Sequence, residues 1–134
     1  MLDVRDINTS YGDVQILRDL SLSVDSGEVL CMLGRNGAGK TTALKAIMGL
    51  VKPRSGSIVL DGTELTALPA HSVPKQGIAY VPQGRRLFAE LTVAENLEIG
   101  LMARDKDRAT LERTLDLFPV LRERMKQRSG TLSG

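Results

Sequence analysis

Apolar and polar residues alternate in two segments near the start of the chain. The apolar positions are Leu2, Val4 and Ile7 in the first segment and Leu20, Leu22 and Val24 in the second. A period of two is typical of a strand that buries one face. The continuous apolar run from Val29 to Leu33 is typical of a strand buried on both faces. The pattern therefore predicts two half-buried strands followed by one buried strand.

Turn residues divide the middle of the chain into short elements. The turn Asp25-Ser26-Gly27-Glu28 precedes the third strand, and Pro53–Gly56 predicts a loop. Ile58-Val59-Leu60 is followed by Asp61-Gly62, which predicts a strand and a hairpin turn. A further short strand is predicted at 78–81, before the loop Pro82-Gln83-Gly84.

The last third of the chain has a helical pattern. Thr92-Val93-Ala94-Glu95 has the spacing of a capping box, and Leu97 and Leu101 follow on one face. Leu111, Leu115 and Phe118 then mark an amphipathic helix that we expect to end at Pro119. The basic stretch 122–128 is interpreted as a solvated helix face, with a docking surface as the alternative.

Composition places the chain among ordinary globular domains. It has 134 residues, of which 42% are hydrophobic and 25% charged, and a formal net charge of +2. This excludes a disordered or fibrous chain and gives no electrostatic case for nucleic acid as partner. No apolar run approaches the ~20 residues that span a bilayer, so we expect a cytoplasmic location. Cys31 is expected to be a small core residue and His71 a surface residue.

The segment after the predicted buried strand carries the clearest chemistry. It matches the phosphate-binding pattern G-x-x-x-x-G-K-[ST], the P-loop, and its residues are Gly34, Arg35, Asn36, Gly37, Ala38, Gly39, Lys40, Thr41 and Thr42. Glycines let main-chain N–H groups face a phosphate without an intervening Cβ. The following residues predict a helix closed by Gly49, so the loop lies at a helix N-terminus, which favours anions.

The pattern assigns a nucleoside triphosphate as ligand. Lys40 is expected to reach the β- and γ-phosphates, and Thr41 to bind Mg²⁺. The alternative is a glycine-rich turn without a ligand, which the strand before and the helix after make less attractive.

Several segments together resemble the ATP-binding subunit of ABC transporters. Besides the P-loop they are the loop Tyr80–Phe88, the run Leu91–Leu97 and the closing Thr131-Leu132-Ser133-Gly134. Two short segments, 77–85 and 60–66, are similar in sequence to the ATPases of branched-chain amino acid importers and of urea and short-amide importers. The resemblance implies an α/β fold: a P-loop NTPase core with an antiparallel β subdomain and a helical subdomain. It also implies the domains 1–84 and 85–134.

The resemblance implies further site residues. Tyr11 matches the aromatic residue that stacks on adenine, with a tyrosine capping the sheet edge as the alternative. Gln83 matches the glutamine that reaches Mg²⁺ and the attacking water, so with Lys40 it is the catalytic candidate; as a plain turn residue it needs no such role. Ser133 and Gly134 match the opening of the signature motif that closes over the γ-phosphate of the opposite subunit, unless they are only a polar tail.

The family places a Walker B strand, with a metal-holding Asp and a catalytic Glu, after the signature. The sequence stops before that strand, so we expect a domain truncated there and a chain that binds ATP better than it hydrolyses it. Asp61 is not a substitute, because Gly62 beside it makes a turn.

The leading hypothesis is the ATPase of a membrane importer for branched-chain amino acids, urea or short amides. It implies ATP and Mg²⁺ as cofactors, and a second ATP-binding subunit and transmembrane permease subunits as partners. The location would then be the inner face of the plasma membrane. Two alternatives stay open: a non-catalytic nucleotide-binding fragment, and a soluble ABC protein that acts on ribosomes or DNA.

Overall fold

A computed structural model of the chain describes residues 1–84, 86–103 and 107–132. They form two compact units, Met1–Tyr80 and Val81–Gly134. The predicted division between residues 84 and 85 concerns the domains of the family and stays a prediction.

The first unit is built on a four-stranded antiparallel sheet. Its strands are β1 (Leu2–Tyr11), β2 (Val14–Val24), β3 (Ser55–Leu60) and β4 (Thr63–Glu64), in the order β2-β1-β3-β4. The two alternating segments are thus paired strands, with Leu2 opposite Val24. The predicted hairpin turn joins β3 to β4, and Asp61 and Gly62 have φ values of 47° and 83°. Two positive φ values are typical of a type I′ turn.

Helix α1 (Lys40–Ile47) packs its apolar face onto this sheet. Its buried residues are Thr42, Ala43, Ala46 and Ile47, and the three apolar ones share one core with Val4, Ile7, Leu17 and Ile58 of the strands. The helix ends at Gly49 as predicted: Gly49 has φ 68°, its N–H donates to the Ala46 carbonyl, and the Leu50 N–H donates to the Lys45 carbonyl. This is a Schellman C-cap, which needs a left-handed residue and so favours glycine.

The prediction of a buried strand at Val29–Leu33 is wrong for the described residues. No strand is formed there, and the side chains of Val29 and Leu33 are 97% and 88% exposed. Cys31, expected in the core, is exposed as well. The physical reason is that a strand exists only through the ladder it forms, and no residue in the described ranges pairs with this segment.

The strand predicted at 78–81 is also absent, for the same reason. Ile78 and Tyr80 pack at the edge of the core, whereas Val81 is 90% exposed. His71, in contrast, is exposed as predicted, in a 3₁₀ turn at Ala70–Ser72.

The second unit contains the helices α2 (Val93–Met102), α3 (Arg108–Leu117) and α4 (Pro119–Glu123), and a 3₁₀ turn at Ser129–Thr131. The predicted capping box starts α2, since Thr92 accepts from the Glu95 N–H and Glu95 accepts from the Thr92 N–H. Pro119 follows the end of α3 and is itself the first residue of α4. No helix among the described residues is long and apolar enough to cross a membrane.

Candidate nucleotide-binding site

The chain turns sharply between Gly34 and α1. Gly37 and Gly39 have φ values of 85° and 93°, a region in which side chains are strained, and the Ala38 N–H donates to the Arg35 carbonyl at 3.2 Å. The sequence placed glycines at these positions, and the backbone uses both of them in left-handed conformations. The loop therefore wraps in the manner that a phosphate cradle requires.

Gly39 is fixed against the sheet by close packing. A Cβ on this residue would lie 2.8 Å from Leu17 Cδ2 and 3.4 Å from the main-chain oxygen of Ile16, both on β2. Contacts as short as 2.8 Å do not occur between carbon atoms, so a larger residue requires the buried Leu17 side chain to shift. The sheet thereby fixes the end of the loop and the start of α1.

The Lys40 side chain folds back over its own loop. Its Nζ donates to the main-chain oxygen of Gly34 at 2.5 Å and to that of Arg35 at 2.8 Å. An ammonium group has three donors, so one more direction is open to an acceptor. Lys40 is half-buried and thus holds its charge at the loop rather than in bulk water.

The N-terminus of α1 lacks a side-chain cap. Gly39 is the N-cap, and no side chain in the described residues accepts from the first N–H groups of the helix. Such N–H groups need an acceptor, which water or an anion can supply. Thr41 is exposed on this first turn, whereas Thr42 is buried. We therefore expect Thr42 to contact a ligand only through its main chain.

The segment 29–60 has a one-sided charge distribution. It contains Arg35, Lys40, Lys45, Lys52 and Arg54 and no acidic residue. Of these, Arg35 and Lys40 belong to the P-loop itself, and cations beside N–H groups that lack a side-chain acceptor favour an anionic ligand.

Tyr11 lies at the same end of the sheet as the P-loop. It is the last residue of β1, is 47% exposed and pairs with Val14 on β2. Leu17, which contacts Gly39, follows on the same strand, so about 10 Å along β2 separates the two positions at ~3.3 Å per residue. This arrangement is compatible with a ligand that extends from the P-loop to Tyr11.

Arg54 is a residue that the sequence analysis missed. Its Nη2 donates to the Gly12 carbonyl at 2.7 Å, and its N–H donates to the Asn8 carbonyl at 2.7 Å. It thus ties the start of β3 to the turn that follows Tyr11. The sequence marked this position only as part of a loop, because a contact between residues so distant in the chain has no local signal.

The other predicted site residues belong to the second unit or lie outside the described residues. Gln83 is exposed and belongs to the second unit, whereas the P-loop belongs to the first. Ser133 and Gly134 lie outside the described residues. Their roles stay predictions.

A protein-only metal centre is not present in the described ranges, which contain no group of three His, Cys, Asp or Glu residues that could hold an ion. Mg²⁺ is commonly bound through few protein ligands together with substrate phosphates. The exposed Thr41 hydroxyl beside Lys40 fits that kind of site.

A family model with the description "ABC transporter" matches residues 17–134. The chain belongs to the ABC transporter family. This confirms the resemblance drawn from the P-loop and the segments after it.

The chain is similar to curated members of this family over all or most of its length. It is 45% identical to the high-affinity branched-chain amino acid transport ATP-binding protein BraG of Pseudomonas aeruginosa, over 100% of this chain and 58% of the relative. It is 43% identical to the probable branched-chain amino acid transport ATP-binding protein LivF of Archaeoglobus fulgidus, with the same coverage. The lipopolysaccharide export system ATP-binding protein LptB of Haemophilus influenzae is 42% identical over 72% of this chain and 40% of that protein. The chain thus spans less than two thirds of the length of these relatives.

Solved structures of the family share the fold. An ATP-binding subunit of an ABC transporter superposes with a TM-score of 0.85 at 35% identity, over 99% of this chain and 56% of that one. The ADP conformation of another ATP-binding cassette gives a TM-score of 0.80 at 26% identity, over 100% and 59% of the two chains. The predicted α/β fold of the P-loop NTPase type, with its antiparallel sheet and helices, is confirmed.

Proposed function

We propose that this chain carries the ATP-binding site of a subunit that powers a membrane importer. The observation that carries the proposal is the position of the Lys40 ammonium on the carbonyls of Gly34 and Arg35, beside the uncapped N-terminus of α1. A cation, N–H groups without a side-chain acceptor and a glycine-rich loop suit the β- and γ-phosphates.

The predicted site residues of the first unit each have a part in binding ATP. Lys40 exchanges its carbonyl acceptors for phosphate oxygens, and the main chain from Gly34 to Gly39 surrounds the phosphates. The Thr41 hydroxyl holds Mg²⁺, which neutralises charge on the phosphates when bound. Tyr11 stacks on the adenine ring, a contact worth ~1–3 kcal/mol.

The predicted site residues of the second unit act at the γ-phosphate. Gln83 orients the attacking water and completes the Mg²⁺ site, because its amide oxygen accepts while its nitrogen donates. Ser133 and Gly134 contact the γ-phosphate held by a second ATP-binding subunit, so that hydrolysis belongs to the whole protein in a dimer. The exposed apolar side chains of Leu87 and Phe88, shortly after Gln83, suit a surface that meets the permease. Such a subunit works on the cytoplasmic face of the membrane.

Branched-chain amino acids are the proposed cargo. Similarity to BraG and LivF over the full length of this chain supports them. Urea and short amides are supported only by the resemblance of the segments 77–85 and 60–66. The second candidate is export, which the similarity to LptB over part of the chain favours.

Uptake in the source cells tests this proposal. Cells that lack the natural gene receive a copy that encodes the unsubstituted protein (the parent), Lys40→Ala or Lys45→Ala. Uptake of labelled leucine, isoleucine, valine and urea by these cells is then measured. Lys45 lies in the last turn of α1 and serves as the matched control. We expect leucine uptake with the parent and the control and none with Lys40→Ala. Uptake of all four compounds independent of the gene would contradict the importer proposal, and uptake of urea alone would change the cargo.

A further inference from the structure

The Asn96 side chain joins two segments of the second unit that are distant in sequence. Its Nδ2, which carries two hydrogens, lies within hydrogen-bond distance of several acceptors that share them, among them the main-chain oxygens of Phe88 at 3.0 Å and Thr92 at 3.0 Å, and the Ser129 Oγ at 2.9 Å. Its Oδ1 accepts from the Phe88 N–H at 3.0 Å. Asn96 itself is half-buried and Ser129 is only 5% exposed. One amide group therefore makes hydrogen bonds both to the segment before α2 and to the 3₁₀ turn after α4.

The same two segments are paired directly through their main chains. The Ser129 N–H donates to the Leu91 carbonyl and the Gly130 N–H to the Ala89 carbonyl, each at 2.9 Å. A Cβ on Gly130 would lie 3.0 Å from the Cβ and the carbonyl oxygen of Ala89, so the two backbones are in close contact. The Arg128 guanidinium also pairs with Glu90 across the junction. The segments 88–91 and 128–130 thus form one connected junction around Asn96.

The position of this junction in the chain gives it a functional meaning. Segment 88–91 follows Gln83, and segment 128–130 leads into Leu132 and Ser133. On the proposed function, these two ends carry the residue that orients the water and the residue that contacts the γ-phosphate of the opposite subunit. We propose that Asn96 is a positioning residue that makes the two segments move as one body, and this inference rests on the proposed function.

Only a side-chain amide of this length can make all the hydrogen bonds observed at position 96. The site requires donors toward carbonyl oxygens and an acceptor toward a main-chain N–H, and Asn supplies both from one planar group. Asp keeps the acceptor but turns a charged oxygen toward the carbonyls of Phe88 and Thr92. Leu supplies neither and leaves the Phe88 main chain and the buried Ser129 hydroxyl without this partner.

The first measurement is amide hydrogen exchange on this chain. Asn96→Asp is compared with Glu98→Gln, which changes charge by one unit on the same helix at an exposed position. We expect exchange at Ser129 and Gly130 to rise by about tenfold or more in Asn96→Asp, with α3 and the Glu98→Gln protein unchanged. Unchanged protection at Ser129 and Gly130 overturns the inference. Ser129→Ala removes a single bond of the junction and provides the same test if Asn96→Asp does not fold.

The second measurement separates positioning from plain structure. ATP hydrolysis is measured on the natural full-length subunit purified with its membrane partner, carrying Ser129→Ala, Asn96→Asp, Glu98→Gln or Lys40→Ala. We expect the junction variants to lower kcat about tenfold with KM for ATP within about twofold of the parent. A raised KM with unchanged kcat, or no change in either, overturns the inference. Normal hydrolysis by Lys40→Ala would overturn the proposed function instead, so the two failures are distinct.

Discussion

The Lys40 Nζ lies 2.5 Å from the main-chain oxygen of Gly34, the first residue of its own loop. The residue expected to bind phosphate is therefore also tied to the main chain of its own loop. Charge-assisted hydrogen bonds contribute more than neutral ones, so this contact stabilises the wrapped loop in advance. On the proposed function, a phosphate would replace the carbonyl oxygens of Gly34 and Arg35 around the ammonium.

Gly39→Ala is expected to destabilise the first unit. The new Cβ would sit 2.8 Å from Leu17 Cδ2, in a backbone conformation with φ 93°. Strain and overpacking together predict a loss of about 2–4 kcal/mol in the free energy of unfolding, measured in urea. Gly100→Ala is the matched control, because Gly100 lies inside α2 with no atom within 4 Å of the new Cβ. It should gain up to about 1 kcal/mol, and equal losses in both variants would contradict the packing argument.

Tyr11→Ala is expected to weaken ATP binding while sparing inorganic triphosphate. Loss of base stacking predicts a drop in ATP affinity of about 1–3 kcal/mol, and triphosphate has no base to lose. Calorimetric titration with both ligands measures the difference, with Tyr11→Phe as the control that keeps the ring. If both ligands lose the same affinity, Tyr11 acts on the loop rather than on adenine.

Glu64 should make the first unit sensitive to acid. Partial burial raises the pKa of its carboxyl, but hydrogen bonds from Thr66, Ser57 and Ile58 outweigh this and lower the pKa to about 2. A depressed folded-state pKa stabilises above the unfolded value of 4.5, and this contribution is lost as the pH falls toward 2.

Discounted for partial exposure, this contribution is about 1–2 kcal/mol. Glu64→Gln should therefore lose that amount at pH 7 and much less near pH 2, as measured by urea unfolding across the pH range. Glu98→Gln, on the exposed face of α2, should stay within about 0.5 kcal/mol of the parent at pH 7. A Glu64→Gln protein with parental stability at pH 7 is the contrary result.

Thr9→Val is expected to stabilise the protein. Thr9 is fully buried, and its Oγ1 has no hydrogen-bond partner among the described residues. Valine has nearly the same shape without the hydroxyl, so the unfolding free energy should rise by about 1 kcal/mol. Thr66→Val should change it in the opposite direction, because the Thr66 Oγ1 donates to Glu64 at 2.5 Å. A loss of stability in Thr9→Val would mean that its hydroxyl is satisfied.

Local signals in the sequence predicted the elements that are stabilised locally. The alternation of Leu2 and Val4, the Asp61-Gly62 turn and the capping box at Thr92 each fix their own geometry, and the structure contains all three. The run Val29–Leu33 was predicted as a strand from its apolar side chains alone. A strand also needs a ladder partner, and the sequence pattern carries no information about whether one is present.

Only part of the candidate site could be predicted from the sequence, because only part of it lies in one continuous segment. The P-loop is one continuous segment, so its motif specifies glycine positions, lysine and helix start together. Arg54 and Asn96 act through contacts with Gly12 and Ser129, far away in sequence. Long-range hydrogen bonds of this kind depend on the assembled fold and have no periodicity to reveal them.

ATP binding by the Lys40→Ala protein tests the central claim most directly. Titration of the parent, Lys40→Ala and Lys45→Ala with Mg-ATP compares two lysines of one helix, of which only Lys40 has its ammonium on the loop carbonyls of Gly34 and Arg35 among the described contacts. Removal of a charged phosphate contact predicts an affinity loss of about 10–100-fold for Lys40→Ala, since such bonds contribute ~1.5–3 kcal/mol, and little change for Lys45→Ala. Equal ATP affinity in all three proteins would contradict the assignment of this loop as the phosphate site.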